Sequence, residues 1–203
     1  FLNFNEKYLA SAISLEKFKD IDNSNLLKGK TINYEKGLIY IDSRNERLGA
    51  KIISNVETLQ IKIKKLNLNI TDKNKYYKKS FSLGIPQINL DKLKDKIFGI
   101  ENNLHELNGI DFKKGCYVGQ ENTSRIKLRN KLRRRILPVQ KINGEIMENN
   151  IIKYKDAEIG KIMISKPYPF GLIKIVEPDM EEFINIDLDC NNSKVKIIKP
   201  EWI

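Results

Sequence analysis

Apolar residues Phe1, Leu2, Phe4, Tyr8, Leu9, Ile13, Leu15 and Phe18 recur at close to helical spacing, which predicts an amphipathic, core-packing helix over residues 5–18. From Lys30 the period shortens. Residues 31–34 and 38–41 read as strands joined by the turn Glu35-Lys36-Gly37, a hairpin. A polar loop over 42–47 precedes a further strand at 48–53. Between 55 and 70, Leu59, Ile61, Ile63, Leu66, Leu68 and Ile70 alternate with polar residues apart from one slip, a pattern that leaves irregular strand and helix both open. Thr71 and Asp72 are suited to cap a helix over 73–83 that Gly84 and Pro86 stop, and 90–96 reads as a short helix.

The last third has another rhythm. Five short β-like runs, 137–142, 151–154, 158–165, 171–176 and 194–198, are parted by Asn143-Gly144, Asp156-Ala157, Pro167-Tyr168-Pro169 and the polar residues 189–192. Regular strands with such punctuation predict a small antiparallel barrel or sandwich. The fold class is therefore α+β, with an α+β region over 1–133 and a β-barrel domain over 134–203.

Composition limits the readings further. The chain has 203 residues, 40% hydrophobic and 31% charged, with a formal net charge of +11; it can bury a core and is not a disordered tail. The charge invites a nucleic-acid reading, but Lys outnumbers Arg 30 to 7 in a chain with 31 Ile, 22 Asn and 4 Ala. An A+T-rich coding sequence imposes those residues, so total charge is discounted. The two cysteines, Cys116 and Cys190, form no CxxC, and His105 is the single imidazole. One chain cannot build a Cys/His zinc site or a four-thiolate cluster from them, so metal chemistry requires a partner. No apolar run approaches the roughly 18 residues of a membrane-spanning helix. With no secretory leader, both thiols read as those of a reducing, cytoplasmic compartment. The chain begins at Phe1 rather than Met, which reads as a preceding part that is absent.

The most informative segment is 111–125. Gly115 and Gly119 flank Cys116, Tyr117 and Val118, a spacing that suggests a tight turn presenting the thiol and the ring. If Gly119 or Gln120 opens a helix, Glu121 lies in its first turn, where the macrodipole stabilises a carboxylate, and Arg125 follows at i+4. Lys113, Lys114 and Arg125 would stabilise a Cys116 thiolate, although a small buried hydrophobe is the simpler role for a cysteine. Tyr117 has a face to stack on a planar ligand or to pack in a core.

Residues 114–121 read K-G-C-Y-V-G-Q-E, which resembles the KGCYxGQE signature of the YgfZ family of folate-binding proteins, including its mitochondrial iron–sulfur assembly relatives. Leu83-Gly84-Ile85-Pro86 is similar to a G-I-P element, and Glu101-Asn102-Asn103-Leu104 with Leu107-Asn108-Gly109 to the E-x-N-L…L-x-G segment before the signature. Leu48-Gly49 and Glu158-Ile159-Gly160-Lys161 resemble further family elements. The resemblance implies the fold of the glycine-cleavage T-protein, a tetrahydrofolate-dependent aminomethyltransferase, with a C-terminal β-barrel. It also implies bound tetrahydrofolate or a related folate, and partners among iron–sulfur assembly proteins or client enzymes, one of which thiolates tRNA. By position Cys116 is the signature thiol. Glu101 is the match for the acidic residue that clasps the pterin, and Lys114, Gly115, Tyr117, Gly119, Gln120, Glu121 and Arg125 line the same site. The family's N-terminal region has no counterpart before Phe1, and no aspartate matches the T-protein's catalytic one, so an aminomethyl-transferring enzyme is the second reading.

Residues 125–135 carry seven basic residues, including five of the seven arginines. Strict alternation from Arg125 to Arg133 would place every charge on one face of a strand, and Arg grips phosphate or carboxylate with a planar fork. A tRNA-binding module is accordingly the third reading, against a solvated face or internal salt bridges. His105 reads as structural, Cys190 as part of a surface turn, and Trp202 as an anchor of the chain end against the last strand.

Overall fold

The structure, a computed structural model, describes residues 8–22, 27–115, 120–129 and 131–203. The chain divides into two compact units, Phe1–Tyr76 and Tyr77–Ile203.

In the first unit, strands β1 (Tyr8–Ile13), β2 (Thr31–Asn33), β3 (Gly37–Ile41) and β4 (Ala50–Asn55) form an antiparallel sheet in the order β1-β4-β3-β2. The β2–β3 hairpin is the expected one, with Glu35 at φ 52° in its turn. The expected N-terminal helix is corrected. Residues 8–13 pair with β4, from Tyr8 opposite Asn55 to Ile13 opposite Ala50, and helix α1 is confined to Leu15–Lys19 behind its Ser14 cap. Ladder bonds to a strand distant in sequence override a local helical period. The ambiguous stretch becomes helix α2 (Val56–Lys65), because Asn55 Oδ1 accepts the Thr58 N–H at 2.8 Å and starts a helix directly off β4. Leu59 of α2 then packs with Phe18, Ile39, Ile41, Ala50 and Ile52 on the buried face of the sheet.

Helix α3 (Lys73–Ser82) contains the boundary between the units and begins after Asp72, whose Oδ1 accepts the Asn74 N–H at 2.9 Å. Two residues after its last one stands Gly84, φ 73°. The helix expected over 90–96 shortens to one 3-10 turn, Leu90–Leu93. Strands β5 (Arg134–Asn143), β6 (Ile151–Tyr154), β7 (Ala157–Ile164), β8 (Phe170–Lys174), β9 (Leu188–Cys190) and β10 (Ser193–Ile197) close into a barrel in the order β10-β5-β8-β7-β6-β9. Sequence pattern misses β9, since three residues between Asn185 (φ 59°) and Asn191 (φ 50°) look like a turn. Cys190 is therefore not on a surface turn: it is buried in the barrel core with Phe183, Leu188, Val195 and Ile197. The Trp202 indole N–H donates to the Leu83 carbonyl at 2.7 Å, tying the chain end to the residue after α3 rather than to the last strand.

Candidate functional site

The segment leading to the signature is a succession of tight turns. Asn102 N–H meets the Phe98 carbonyl at 3.1 Å and Leu107 N–H the Asn103 carbonyl at 3.0 Å, while Asn103 (φ 59°) and Asn108 (φ 58°) adopt left-handed conformations that asparagine tolerates. Buried Ile100 and Leu107 anchor it.

Polar groups hold this loop to the first barrel strand. Glu101 Oε2 accepts the Phe98 N–H at 2.9 Å, and its Oε1 takes Nε and Nη2 of Arg134, each at 2.9 Å. The Glu101 carbonyl accepts the Ile136 N–H at 2.8 Å, and Asn103 Nδ2 donates to the Ile136 carbonyl at 2.7 Å. The loop thus pairs the backbone of β5 where β10, which joins only from Val139 onward, does not. Arg135 spans two acceptors: Nη1 reaches Asn103 Oδ1 at 2.8 Å and Nη2 reaches Glu106 Oε1 at 2.7 Å. Burial pushes the Glu106 carboxyl up, but the Arg135 bond and charge outweigh it and hold the group below its ordinary 4.5.

Of the residues singled out from sequence, Cys116, Tyr117 and Gly119 lie outside the described residues, as does the Gln120 side chain. Glu101 is nearly buried, and both its oxygens already meet donors of this chain. A pterin edge, which presents parallel N–H donors, would have to displace Phe98 or Arg134 there. Lys114 and Gly115 are exposed. Among the described residues nothing lies within 4 Å of a Cβ at Gly115, and its φ is outside the left-handed region. Helix α4 (Gln120–Leu128) has Glu121 in its first turn and Arg125 one turn later, both exposed.

That helix corrects the alternating-strand reading of 125–133. Arg125 and Lys127, two apart on α4, point roughly 200° from one another, and Arg129, Lys131 and Arg133 follow outside any strand. All five are exposed, whereas Arg134 and Arg135 are taken up by Glu101, Asn103 and Glu106. His105 packs edge-on to Phe112, centroids 4.9 Å apart, and Lys127 Nζ lies 5.9 Å from the Phe112 centroid. The Arg135–Asn103–Glu106 contact escapes sequence reasoning; its one signal is an arginine pair, in a lysine-dominated chain, at the start of the predicted barrel. Fully buried Lys62 escapes it too, since a lysine on an amphipathic helix reads as solvated.

A recess of about 550 Å³ on the barrel surface, lined by Ile151, Lys153, Asp156, Glu158, Asp189 and Asn191, contains none of the candidate site residues. Among the described residues, no helix is long and apolar enough to cross a membrane.

No family model matches the chain. Its sequence is 32% identical over 121 residues to "Iron-sulfur cluster assembly factor IBA57 homolog, mitochondrial" of Neurospora crassa, covering 59% of this chain and 25% of that protein. The Dictyostelium discoideum homologue is 31% identical over 126 residues, 62% of this chain and 28% of its own, and the mouse factor is 36% identical over 76 residues, 37% and 21%. The chain thus spans about a quarter of the length of these curated relatives. Their mitochondrial naming overturns the cytoplasmic expectation, which rested only on free thiols and an absent leader. Among solved structures, aminomethyltransferase T of the glycine cleavage system from Bartonella henselae superposes with a TM-score of 0.57 at 9% identity, over 84% of this chain and 50% of that one. The chain has the aminomethyltransferase T fold, α+β with a closed C-terminal barrel, and is similar in sequence to iron–sulfur cluster assembly factors of the IBA57 kind.

Proposed function

We propose that this chain is part of a YgfZ-type iron–sulfur cluster assembly factor in which the Cys116 thiolate handles the cluster as cargo. The observation that carries the reading is the 121-residue similarity to a relative named for that role, and the K-G-C-Y-V-G-Q-E string at 114–121 supports it. Iron–sulfur clusters are held by thiolates. With Cys190 buried in the barrel core, Cys116 is the cysteine of this stretch left for that role, and the cluster's remaining ligands come from outside the stretch. Of the charged residues near Cys116 in sequence, Lys113, Lys114 and Arg125 would lower the cost of its ionised form, and Glu121 would oppose them.

In this reading residues 1–133 supply the folate-binding-type region and 134–203 the barrel domain. Tetrahydrofolate enters through the family resemblance, and with Glu101 engaged by Phe98 and Arg134, its clasp falls to other residues of the whole protein. A link to tRNA thiolation follows indirectly, through the client enzyme.

The test is complementation of cells lacking the relative with the full-length protein, wild type or Cys116→Ala, read out by iron–sulfur enzyme activity. Loss of rescue with unchanged protein level is expected. Full rescue by the variant would remove the thiol from the mechanism.

A further inference from the structure

We propose that the exposed cations of residues 125–133 form a binding surface for the phosphodiester backbone of a single-stranded nucleic acid. The inference stands apart from Cys116 and goes beyond the cluster-handling reading. The chain uses its seven arginines in two ways. Arg44 pairs with Asp42, Arg134 with Glu101 and Arg135 with Glu106, and Arg47 is not free either. Arg125, Arg129 and Arg133, together with Lys131, are exposed and have no side-chain partner among the described residues. Even Glu121, one turn before Arg125 on α4, forms no ion pair with it. Lys127 completes the set: its ammonium lies 5.9 Å from the Phe112 centroid while the residue stays exposed.

The surrounding sequence leaves this charge unanswered. From Asn122 to Gly144 there are eight Lys and Arg and no Asp or Glu. The backbone beneath the cations is held at both ends of the stretch. The Lys131 N–H closes α4 on the Ile126 carbonyl at 3.0 Å, and the Arg133 carbonyl accepts the Ile175 N–H at 2.9 Å, beside the pairing of β5 with β8. Helix-end electrostatics accounts for basic residues in the last turn of α4, but that effect is spent within a turn and does not extend to Arg133. Five like charges within nine residues repel one another, a cost that a bound chain of phosphates turns into an attraction.

The make-up of the surface favours a phosphate chain over a bilayer or a protein. Leu128 is 86% exposed between Lys127 and Arg129, whereas Ile126 and Leu132 are half-buried. One bare leucine supplies neither the broad apolar face with which a helix lies in a membrane nor the apolar core of a protein interface. Arginine forks grip phosphate oxygens bidentately, and their planes stack on unpaired bases. Because Arg125 and Lys127 point roughly 200° apart on α4, the cations do not present one flat face to a rigid duplex. A flexible single strand can wind past them.

The experiment is fluorescence anisotropy of labelled oligouridine and oligothymidine, each of about sixteen nucleotides, titrated with the full-length protein between about 50 and 200 mM salt. Each phosphate contact on a single strand contributes about −0.7 to the slope of log affinity against log salt, so five contribute about −3.5. The triple variant Arg125→Gln, Arg129→Gln, Arg133→Gln should lose about 2 units of that slope and at least about tenfold in affinity at the lower salt. The control, Lys73→Gln, Lys75→Gln, Lys78→Gln, removes the same charge from exposed lysines of α3 and should leave the slope within about half a unit of wild type. A preference for one oligonucleotide names RNA or DNA as the strand recognised, and equal affinity assigns the backbone alone; each sustains the proposal. Equal losses in the two triple variants overturn it, because net charge alone would then account for binding. So does the absence of salt-dependent binding to either strand, whether or not polyglutamate or anionic phospholipid vesicles bind instead. If the arginine triple variant does not keep the wild-type unfolding midpoint, Arg129→Gln alone decides, with an expected slope change of about 0.7.

Discussion

Lys62 Nζ lies 5.3 Å from the centroid of the Tyr34 ring, fully buried and without a hydrogen-bond acceptor. It rests against the β3–β4 pairing: a Cβ at Gly37 would come within 2.8 Å of it and 3.1 Å of Ser54 Cβ, whose own hydroxyl is also unpartnered. Burial pushes the Lys62 amine below its ordinary 10.5, and the nearby Glu35 carboxylate opposes this only in part.

Lys62→Met keeps the unbranched stem and removes the unmet charge. It should stabilise the protein by about 1–3 kcal/mol in urea unfolding. The wild type should also show a pH signature. Between the lowered folded value and 10.5 the unfolded chain binds more protons at Lys62 than the folded chain does, so wild-type stability rises with pH across that window. The variant should lack that rise; equal slopes in the two proteins would show that the buried amine keeps its proton.

Glu101 makes a contrasting case. With one oxygen on Phe98 N–H and the other on Arg134, Glu101→Ala strips a turn of its cap and leaves Arg134, itself 45% exposed, without its anion. The expected loss is about 1–3 kcal/mol, limited by solvent at the arginine. Tetrahydrofolate titration on the folded fraction separates the roles: affinity within a factor of two of wild type means that the carboxylate serves the loop, while a large loss restores it as a ligand.

The split within the basic stretch is open to a direct comparison. Replacing exposed Arg125, Arg129 and Arg133 with Gln should change stability by less than about 0.5 kcal/mol each, whereas Arg135→Gln, which abandons Glu106 in a partly buried site, should cost several times more. If the exposed set binds a polyanion, the triple variant should flatten the salt dependence of tRNA or heparin binding. A wild-type protein with no salt-dependent tRNA binding ends the RNA reading.

These residues also show what the sequence could and could not reveal. The hairpin at 35–37 and the barrel turns at Asn143-Gly144 and Pro167-Tyr168-Pro169 are legible because glycine, asparagine and proline act locally. Residues 8–13 are not, because their strand state comes from β4, and their own period is helical. At 125–128, alternation mimics a strand, yet among the described residues no strand pairs with these positions and helix α4 forms instead. The signature string is legible as a string, and Arg135, chemically identical to its neighbours, is marked only by reaching Asn103 and Glu106.

Cys190 should be inert in the native protein. Burial raises its pKa, an effect that the hydrogen bond from Ser193 only partly offsets, so it remains a thiol where only a thiolate reacts. Iodoacetamide should modify it at the rate of global unfolding, and denaturant should accelerate labelling steeply. Rapid native-state labelling of Cys190 would place strand β9 outside the stable core.

Gly84 sets a limit on how α3 can end. Its φ of 73° costs any residue with a Cβ about 1 kcal/mol or more, and a Cβ there would also sit 2.3 Å from Pro200 Cγ, adding overpacking of about 1–3 kcal/mol. Gly84→Ala should therefore destabilise the protein by about 2–4 kcal/mol. The two contributions separate in a double-mutant cycle. Pro200→Ala removes the clashing ring, so the cost of Gly84→Ala in that background should fall to the backbone part alone. Undiminished cost would mean that φ carries all of it, and that the Trp202–Leu83 bond can shift the chain end clear of the new methyl.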